Sequence, residues 1–554
     1  MPPGREDPWA NSYEKWHIPE LGIIRARMTS QSPTPAQKDW LWRPALIVFI
    51  SNVCIMVIEL VAGRMVAPII GVSLYTWTSI IGVILAGISL GNFIGGKIAD
   101  RMASRRTLGI IFILAGLGAL SVLFSVEALS ASGLPSLSWM PLIGRMVLFI
   151  TLIYFLPSTM LGLISPVVIK LTLLDLKATG NVIGRIYAAS ALGSIVGTFA
   201  TGYFLISAFG TRLISLGVGA LLIFMGVLLG QWFRNRAVAA VAAVVAALAV
   251  GAAFTQNPRL RDSMDSGCTI ESNYFCIKVR DETQNDKAYK VLSLDALVHS
   301  YNSLEDPREL RYAYEQVGAE VAEFLQKRDN RIDMLLIGGG GYTLPRYLES
   351  VYPNVNIDVS EIDPAVTATA YDSLGLARNT RTVSYNEDAR QFLVTLDPAR
   401  KYNYIHGDAF NDFSVPYHLT TREFNELVKR HLTPNGIYLS NVIDGRDLPF
   451  ARALLRTLKA TFTHVYFIPS NKAYRDIRAN TMLVLATNSP LDTPAFATLN
   501  GHDNQSQFSA WIIDDAELDA WLGTGPQFLL TDDYVPTDNL LTGVFEVKLA
   551  VPTP

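Results

Sequence analysis

From Trp42 to Phe254 the chain alternates long apolar runs with short polar links, and after Gln256 the pattern changes to short apolar runs separated by amphipathic ones. About twenty apolar residues are enough to cross a bilayer as a helix. Seven such runs are present: Trp42 to Met65, Tyr75 to Gly96, Leu108 to Leu129, Leu142 to Ile169, Val182 to Ala208, Leu213 to Trp232 and Ala237 to Phe254. The fourth carries Pro157 and Pro166, which are expected to kink or divide it.

In the second half, alternation from Tyr274 to Val279 predicts a strand, with Tyr289 to Leu294 as its partner. Helix and strand then alternate. Leu310 to Gln326 is read as a helix, Met334 to Ile337 as a strand and Thr343 to Val351 as a helix. A second apolar run, beginning at Ile357, ends at Glu361, and Pro364 opens the next helix at its first turn. Thr382 to Tyr385, Tyr402 to His406 and Ile437 to Asn441 follow as strands, and His464 to Ile468 and Met482 to Ala486 as the last two. Thr421 to Leu432 and Leu448 to Phe462 are expected helices, and Asp388-Ala-Arg-Gln-Phe392 starts another. The fold class is therefore a polytopic α-helical membrane domain followed by an α/β Rossmann-like domain with a small N-terminal β region. The domains are 1–41, a mobile polar tail; 42–256, the membrane domain; 257–305, the linker and β region; and 306–554, the Rossmann-like domain.

Charge sharpens the division. The 554 residues are 50% hydrophobic and only 17% charged, and between Pro44 and Gln256 the acids are Glu59, Asp100, Glu127 and Asp175 alone. Basic residues mark alternate connections: the N-terminal tail, then Lys97, Arg101, Arg105 and Arg106, then Lys170, Lys177 and Arg185, then Arg234 and Arg236. The positive-inside rule places the N-terminus in the cytoplasm. Seven crossings then place the C-terminal domain outside. No apolar leader lies near Met1. A net charge of −3 gives no footprint for nucleic acid. The expected partners are the lipid bilayer and a small-molecule ligand, and self-association into a homo-oligomer stays open.

Gly96-Lys-Ile-Ala-Asp-Arg-Met-Ala-Ser-Arg-Arg106 resembles the loop between the second and third helices of major-facilitator transporters. Gly82, Gly87, Gly91 and Gly95, then Gly184, Ala188, Gly193, Gly197 and Gly202, stand at helix-packing spacing. Glu59 and Arg64 are ionisable groups in the first run; an ionisable group there suggests function, although Arg64 lies near the end and can snorkel. Cys268 and Cys276 are expected to close a small loop as a disulfide, which suits an oxidising compartment; two buried free thiols is the other reading.

The chemistry centres on Leu335-Leu-Ile-Gly-Gly-Gly-Gly-Tyr-Thr343. Glycines after a buried strand let a ligand approach the backbone N–H groups, and an acid at the end of the next strand takes ribose hydroxyls. Asp388 and Asp408 end later strands and point to the same crevice. Asp412, Tyr417 and His418 crowd the loop after Asp408, and loops carry function. No metal-ligand spacing is found.

Tyr274 to Val279, Leu292-Ser-Leu-Asp295, the glycine loop, Ser360-Glu-Ile-Asp363, Asp388-Ala-Arg-Gln-Phe-Leu393 and Asp408 together resemble spermidine synthase in order and spacing. The whole chain looks like the bacterial membrane proteins described as fused major-facilitator/spermidine synthase-like. The resemblance implies a class I methyltransferase-like fold binding S-adenosylmethionine or its decarboxylated form, without a metal. Gly338 and Gly340 would pass the ligand, Glu361 would hold the ribose and Asp388 the adenine amino group. Asp408, with Asp412, would serve catalysis by accepting the proton of an attacking amine. Tyr274, Tyr417 and His418 would bind the acceptor. The departures fall on the polyamine side: Gly341 stands where the family has an acid, Phe275 replaces a glutamine, and Ala296 replaces a glycine. The expected activity is aminopropyl or alkyl transfer to an amine; the alternative is a non-catalytic ligand-sensing or scaffolding domain attached to a transporter-like membrane half.

Overall fold

The computed structural model describes residues 42–132, 139–173, 179–233, 235–256, 264–410, 415–469, 479–496, 499, 511–525 and 527–550. The first half is helical: α1 (Trp42–Ile70), α2 (Leu74–Met102), α3 (Arg105–Ala131), α4 (Leu142–Thr172), α5 (Thr179–Leu229) and α6 (Arg236–Gln256). Among the described residues these six helices are long and apolar enough to cross a membrane, one fewer than the seven runs in the sequence. The difference lies in α5, where the expected fifth and sixth runs are joined but Gly210 leaves the helical region (φ 70°, ψ 162°). The arm before the break runs parallel to α1, with Gly193 against Phe49 and Gly197 against Val53. The arm after it runs antiparallel to α3, with Gly219 against Leu120 and Gly226 against Gly109. The C-terminal halves of α1 and α3 both meet Arg212, through a small cavity shared with Arg64 and through Leu123 O. The arms therefore run in opposite directions, as a helical hairpin broken at Gly210.

Pro157 does not divide α4. A π-helical turn, Thr151–Phe155, precedes it and absorbs the backbone hydrogen bond that proline cannot make. Gly87, Gly91 and Gly95 lie directly on the α4 backbone, so α2 and α4 pack with no side chain between them. Gly82, Gly184 and Gly202 face open space, so the small-residue pattern overstates the packed faces.

The second half begins with an antiparallel sheet, β1 (Ile270–Glu271), β2 (Cys276–Gln284), β3 (Lys287–Leu294) and β4 (Leu297–Asn302), in that order. Cys268 and Cys276 are joined as a disulfide, which fastens β1 to β2. Next come α7 (Ala313–Asp329), β5 (Ile332–Ile337), α8 (Thr343–Val351), β6 (Val355–Ser360), α9 (Pro364–Ser373), β7 (Val383–Tyr385), α10 (Ala389–Thr395) and β8 (Tyr402–Gly407). The last part is α11 (Arg422–His431), β9 (Leu432–Gly445), α12 (Pro449–Thr461), β10 (His464–Pro469) and β11 (Ala479–Thr487), followed by short helices.

The larger sheet has the order β10-β11-β9-β8-β5-β6-β7, and all its strands are parallel except β11, which inserts antiparallel between β9 and β10. Helices cover both faces, so central strands such as β5 read as continuous apolar runs. Local signals start the helices where the sequence places them. Asp363 caps α9 with Pro364 behind it, Asp388 caps α10, and Thr421 caps α11. Chain order reverses between β5 and β8, and such a switch point leaves a crevice at the strands' C-terminal ends.

Candidate functional site

The loops that follow β5 and β8 cross closely at this switch point. Gly338 N donates to Ser360 O (2.8 Å) and Asp408 N to Ile337 O (2.8 Å). Gly338 has φ 93°, and a Cβ there would lie 2.5 Å from Asp408 O, so both conformation and space require glycine. Gly340 faces open space. Below the loop a cavity of about 290 Å³ opens, close to the smaller ligand pockets of proteins. Its lining includes the four glycines, Glu361, Asp388, Asp408 and His418.

Glu361, at the end of β6, is buried and works against the glycine loop. Its Oε2 accepts from Gly339 N (2.8 Å) and Gly340 N (3.3 Å), and its Oε1 from Asp363 N (2.9 Å). Burial pushes its pKa up, and the three N–H donors oppose that shift. Asp388 is set differently. One oxygen caps α10 through Arg390 N and Gln391 N, and the other meets His418 Nε2 at 2.7 Å. That bond to His418 is the main cause holding the Asp388 carboxyl below its usual range.

Asp408, beside Gly338, also lines the cavity. Its Oδ1 accepts from Asn441 Nδ2 (2.7 Å), and the Tyr314 hydroxyl also bonds it. Burial raises it to about 7, more than these two donors lower it. Glu315 is likewise raised to about 7 by burial, against bonds from Thr343 and Tyr312 N. Perturbed carboxyls facing a cavity are what a proton-transfer site needs. The small sheet and the start of α7 form the other wall, with Phe275, Leu297, Val298, His299 and Tyr312.

The sequence's site residues divide into three groups. Gly338, Gly340, Glu361, Asp388, Asp408 and His418 line one cavity. Tyr274 does not: it is 43% exposed and its neighbour Phe275 turns inward instead, because adjacent side chains on an extended chain alternate in direction. Tyr417 also misses the cavity, being 59% exposed on a 3-10 turn that points His418 and Leu419 inward. Asp412 lies outside the described residues. Sequence reasoning missed Tyr314, Glu315 and Asn441, and gave His406 only as the last residue of a strand. His406 was legible in principle, since it is two residues before Asp408 and thus on the same strand face. Tyr314 and Glu315 come from a helix whose register only packing sets.

Gly341, aligned by resemblance with an acid of spermidine synthase, is filled from outside. A Cβ there would collide with Ser300 Oγ and Asn302 Oδ1, and Asn302 Nδ2 donates to Gly341 O (2.6 Å). The next residue, Tyr342, is fully buried, with its hydroxyl on Thr367 (3.1 Å) and Ser384 (3.0 Å).

The strand order and the strand-end cavity define a Rossmann-like domain preceded by a small antiparallel sheet. Part of the chain is similar in sequence to known transferases. The Polyamine aminopropyltransferase of Vibrio vulnificus (strain CMCP6) is 35% identical over 148 residues, which is 26% of this chain and 48% of that protein. The human eEF1A lysine and N-terminal methyltransferase is 29% identical over 143 residues, 24% of this chain and 20% of its own length. The chain thus spans half or less of the curated relatives it matches. A solved probable spermidine synthase from Corynebacterium glutamicum ATCC 13032 aligns over 48% of this chain and 98% of its own, at 22% identity and a TM-score of 0.41. No family model matches the chain.

Proposed function

We propose that the protein is a membrane-anchored, spermidine synthase-like transferase that binds S-adenosylmethionine or its decarboxylated form and transfers an alkyl group, aminopropyl or methyl, to an amine. The observation that carries the proposal is the single cavity joining Gly338, Gly340, Glu361 and Asp388 to a buried carboxyl, Asp408, whose pKa is raised to about 7. Bound there, an adenosyl sulfonium supplies an electrophilic carbon: the amine nitrogen bonds that carbon as the carbon–sulfur bond breaks and the thioether leaves. Asp408, ionised near neutral pH, takes the proton the nitrogen loses. Asn441 and Tyr314 orient its carboxylate.

The six apolar helices support the anchoring. Helix ends that touch the α/β domain include those at Arg64, Leu74 and Thr211. The opposite end of α2 carries Lys97 and Arg101 and bonds α4 through Asp100 and Lys170 (2.9 Å). With basic ends cytoplasmic, the α/β domain lies outside, in keeping with the Cys268–Cys276 disulfide. That placement favours a second reading, a ligand-sensing or scaffolding domain without turnover, because adenosyl cofactors are not expected there. The packed Gly341 favours it too.

Titration of the full-length protein in detergent with S-adenosylmethionine, its decarboxylated form and methylthioadenosine tests the first reading. Micromolar binding of at least one is expected; binding of none sinks it. A C-terminal reporter active only in the periplasm, together with binding but no transfer to diamines, would leave the sensing role.

A further inference from the structure

We propose that Arg64 is a positioning residue for the glycine-loop cavity, coupling the apolar helices to ligand binding through the loop that the Cys268–Cys276 bond closes. The inference rests on the adenosyl reading of that cavity. Arg64 stands near the end of α1 and reaches out of the helical layer. Its guanidinium donates to Tyr274 O and, at 3.0 Å, to Ser272 O. The Ser272 hydroxyl donates to Asp363 Oδ2. Asp363 N donates to Glu361 Oε1 (2.9 Å), and Glu361 Oε2 accepts from Gly339 N (2.8 Å). An unbroken line of hydrogen bonds thus runs from an apolar helix to the glycine loop.

The same short loop has a second anchor in the helical region. Glu271 Oε2 accepts from Thr211 N (2.7 Å), the first amide after the break at Gly210 in α5. Residues 271–275 are therefore clamped by two apolar helices on one side and by Asp363 on the other. Phe275, at the end of this segment, is itself a wall of the cavity. The disulfide at Cys268 and Cys276 holds both ends of the clamp, so displacement at one face must appear at the other rather than dissipate in the loop. Electrostatics points the same way: burial raises the Asp363 carboxyl, while the Ser272 hydroxyl and the Arg64 charge lower it.

A planar guanidinium can fork onto two carbonyls, which an ammonium does not reproduce. Arg64 is thus suited to fix the direction of the loop, and a ligand that draws on Glu361 must work against, or with, that setting. Coupling is reciprocal: if Arg64 affects ligand affinity, the ligand affects the end of α1.

The test uses the full chain in detergent, with methylthioadenosine as probe. Wild type, Arg64→Gln, Ser272→Ala and the double variant are compared by dissociation constant, with Tyr75→Phe as a control. Tyr75 bonds Asn539 (2.6 Å) and is a second helix-to-domain contact off this line. Each single variant is expected to weaken binding about fivefold or more, within the usual range of coupling. The double variant should be no weaker than the worse single one, because both cut one line. Arg64→Lys should rescue only partly, and Tyr75→Phe should stay within about twofold. Effects that multiply, or single variants indistinguishable from wild type, overturn the proposal. Should Arg64→Gln fail to fold, hydrogen exchange on the wild type decides: methylthioadenosine must change exchange at residues 61–70, and no change overturns the proposal. Absence of probe binding by the wild type removes the adenosyl reading and this inference together; binding with multiplicative effects or unchanged exchange removes the inference alone.

Discussion

On the glycine-loop side of the cavity the recognition elements are backbone: Gly338 lies on Asp408 O, Gly340 opens to the cavity, and Glu361 is held by three N–H groups. Elsewhere the contacts are between side chains: Tyr314 and Asn441 on Asp408 and His418 on Asp388, with Ser300 and Asn302 in the space beside Gly341. Backbone recognition depends on the crossing of two loops and cannot change without disturbing the sheet. Side-chain recognition can change one residue at a time. Gly341 belongs to the second group, and its neighbouring space is already taken by Ser300 and Asn302.

The comparison predicts the largest effect at Asp408. Asp408→Asn should reduce amine alkylation by about 10²–10⁴-fold, the usual share of a general base, with methylthioadenosine affinity much less changed. An equal loss in both would mean the two sides are not separable. Its pH dependence has a defined sign. The folded carboxyl is raised to about 7 from 3.8, so the stability it contributes is fully present below about pH 4 and is lost as pH rises through about 7. The thermal midpoint of Asp408→Asn relative to wild type should therefore climb between pH 5 and pH 8; a flat difference contradicts the buried, raised carboxyl. Transfer should rise over the same window, as the base ionises.

A smaller effect is expected at Gly341. Gly341→Asp places an acid where spermidine synthase has one but should not create tight diamine binding. It should instead destabilise the fold by about 3 kcal/mol, through overpacking and a buried carboxylate. Combining it with Ser300→Gly and Asn302→Ala should recover part of the loss in thermal unfolding. Tight diamine binding by the single variant would show that the space is available after all. Gly338→Ala should cost about 2 kcal/mol for the clash and the positive φ, and it should weaken methylthioadenosine more than diamine. The smallest effect is at His418. His418→Ala frees one Asp388 oxygen and should tighten methylthioadenosine by about two- to threefold, near the net value of one hydrogen bond. Weaker binding would instead make His418 the group that orients Asp388.

The α/β half was largely legible. Helix α8 begins and ends where the sequence reading places it, and α9, α10 and α11 start at Asp363, Asp388 and Thr421, because caps and first-turn prolines are local signals. Strand β9 was read as Ile437 to Asn441 but runs Leu432–Gly445, since pairing with β11 carries it on to Gly445 and a pair with β8 begins it at Leu432. Strand β4 was missed, although it supplies the residues that fill the space at Gly341. Six of the site residues meet in one cavity, while Tyr274 and Tyr417 turn outward. In the helical half, hydropathy located every apolar run but could not tell that Gly210 breaks a helix rather than a loop.

By itself the sequence determined the split into an apolar helical half and an α/β half, the strand-glycine-helix loop, and the acids at the strand ends. These follow from periodicity, capping and glycine spacing, all of which act within a few residues. Tertiary structure alone decided that Asp408 is buried enough to titrate near 7, that His418 takes an oxygen of Asp388, that Ser300 and Asn302 close the space at Gly341, and that Arg64 reaches the loop behind Glu361. Each of these joins residues far apart in the chain. Burial, and therefore charge and space at such meetings, is a property of packing that no local pattern encodes.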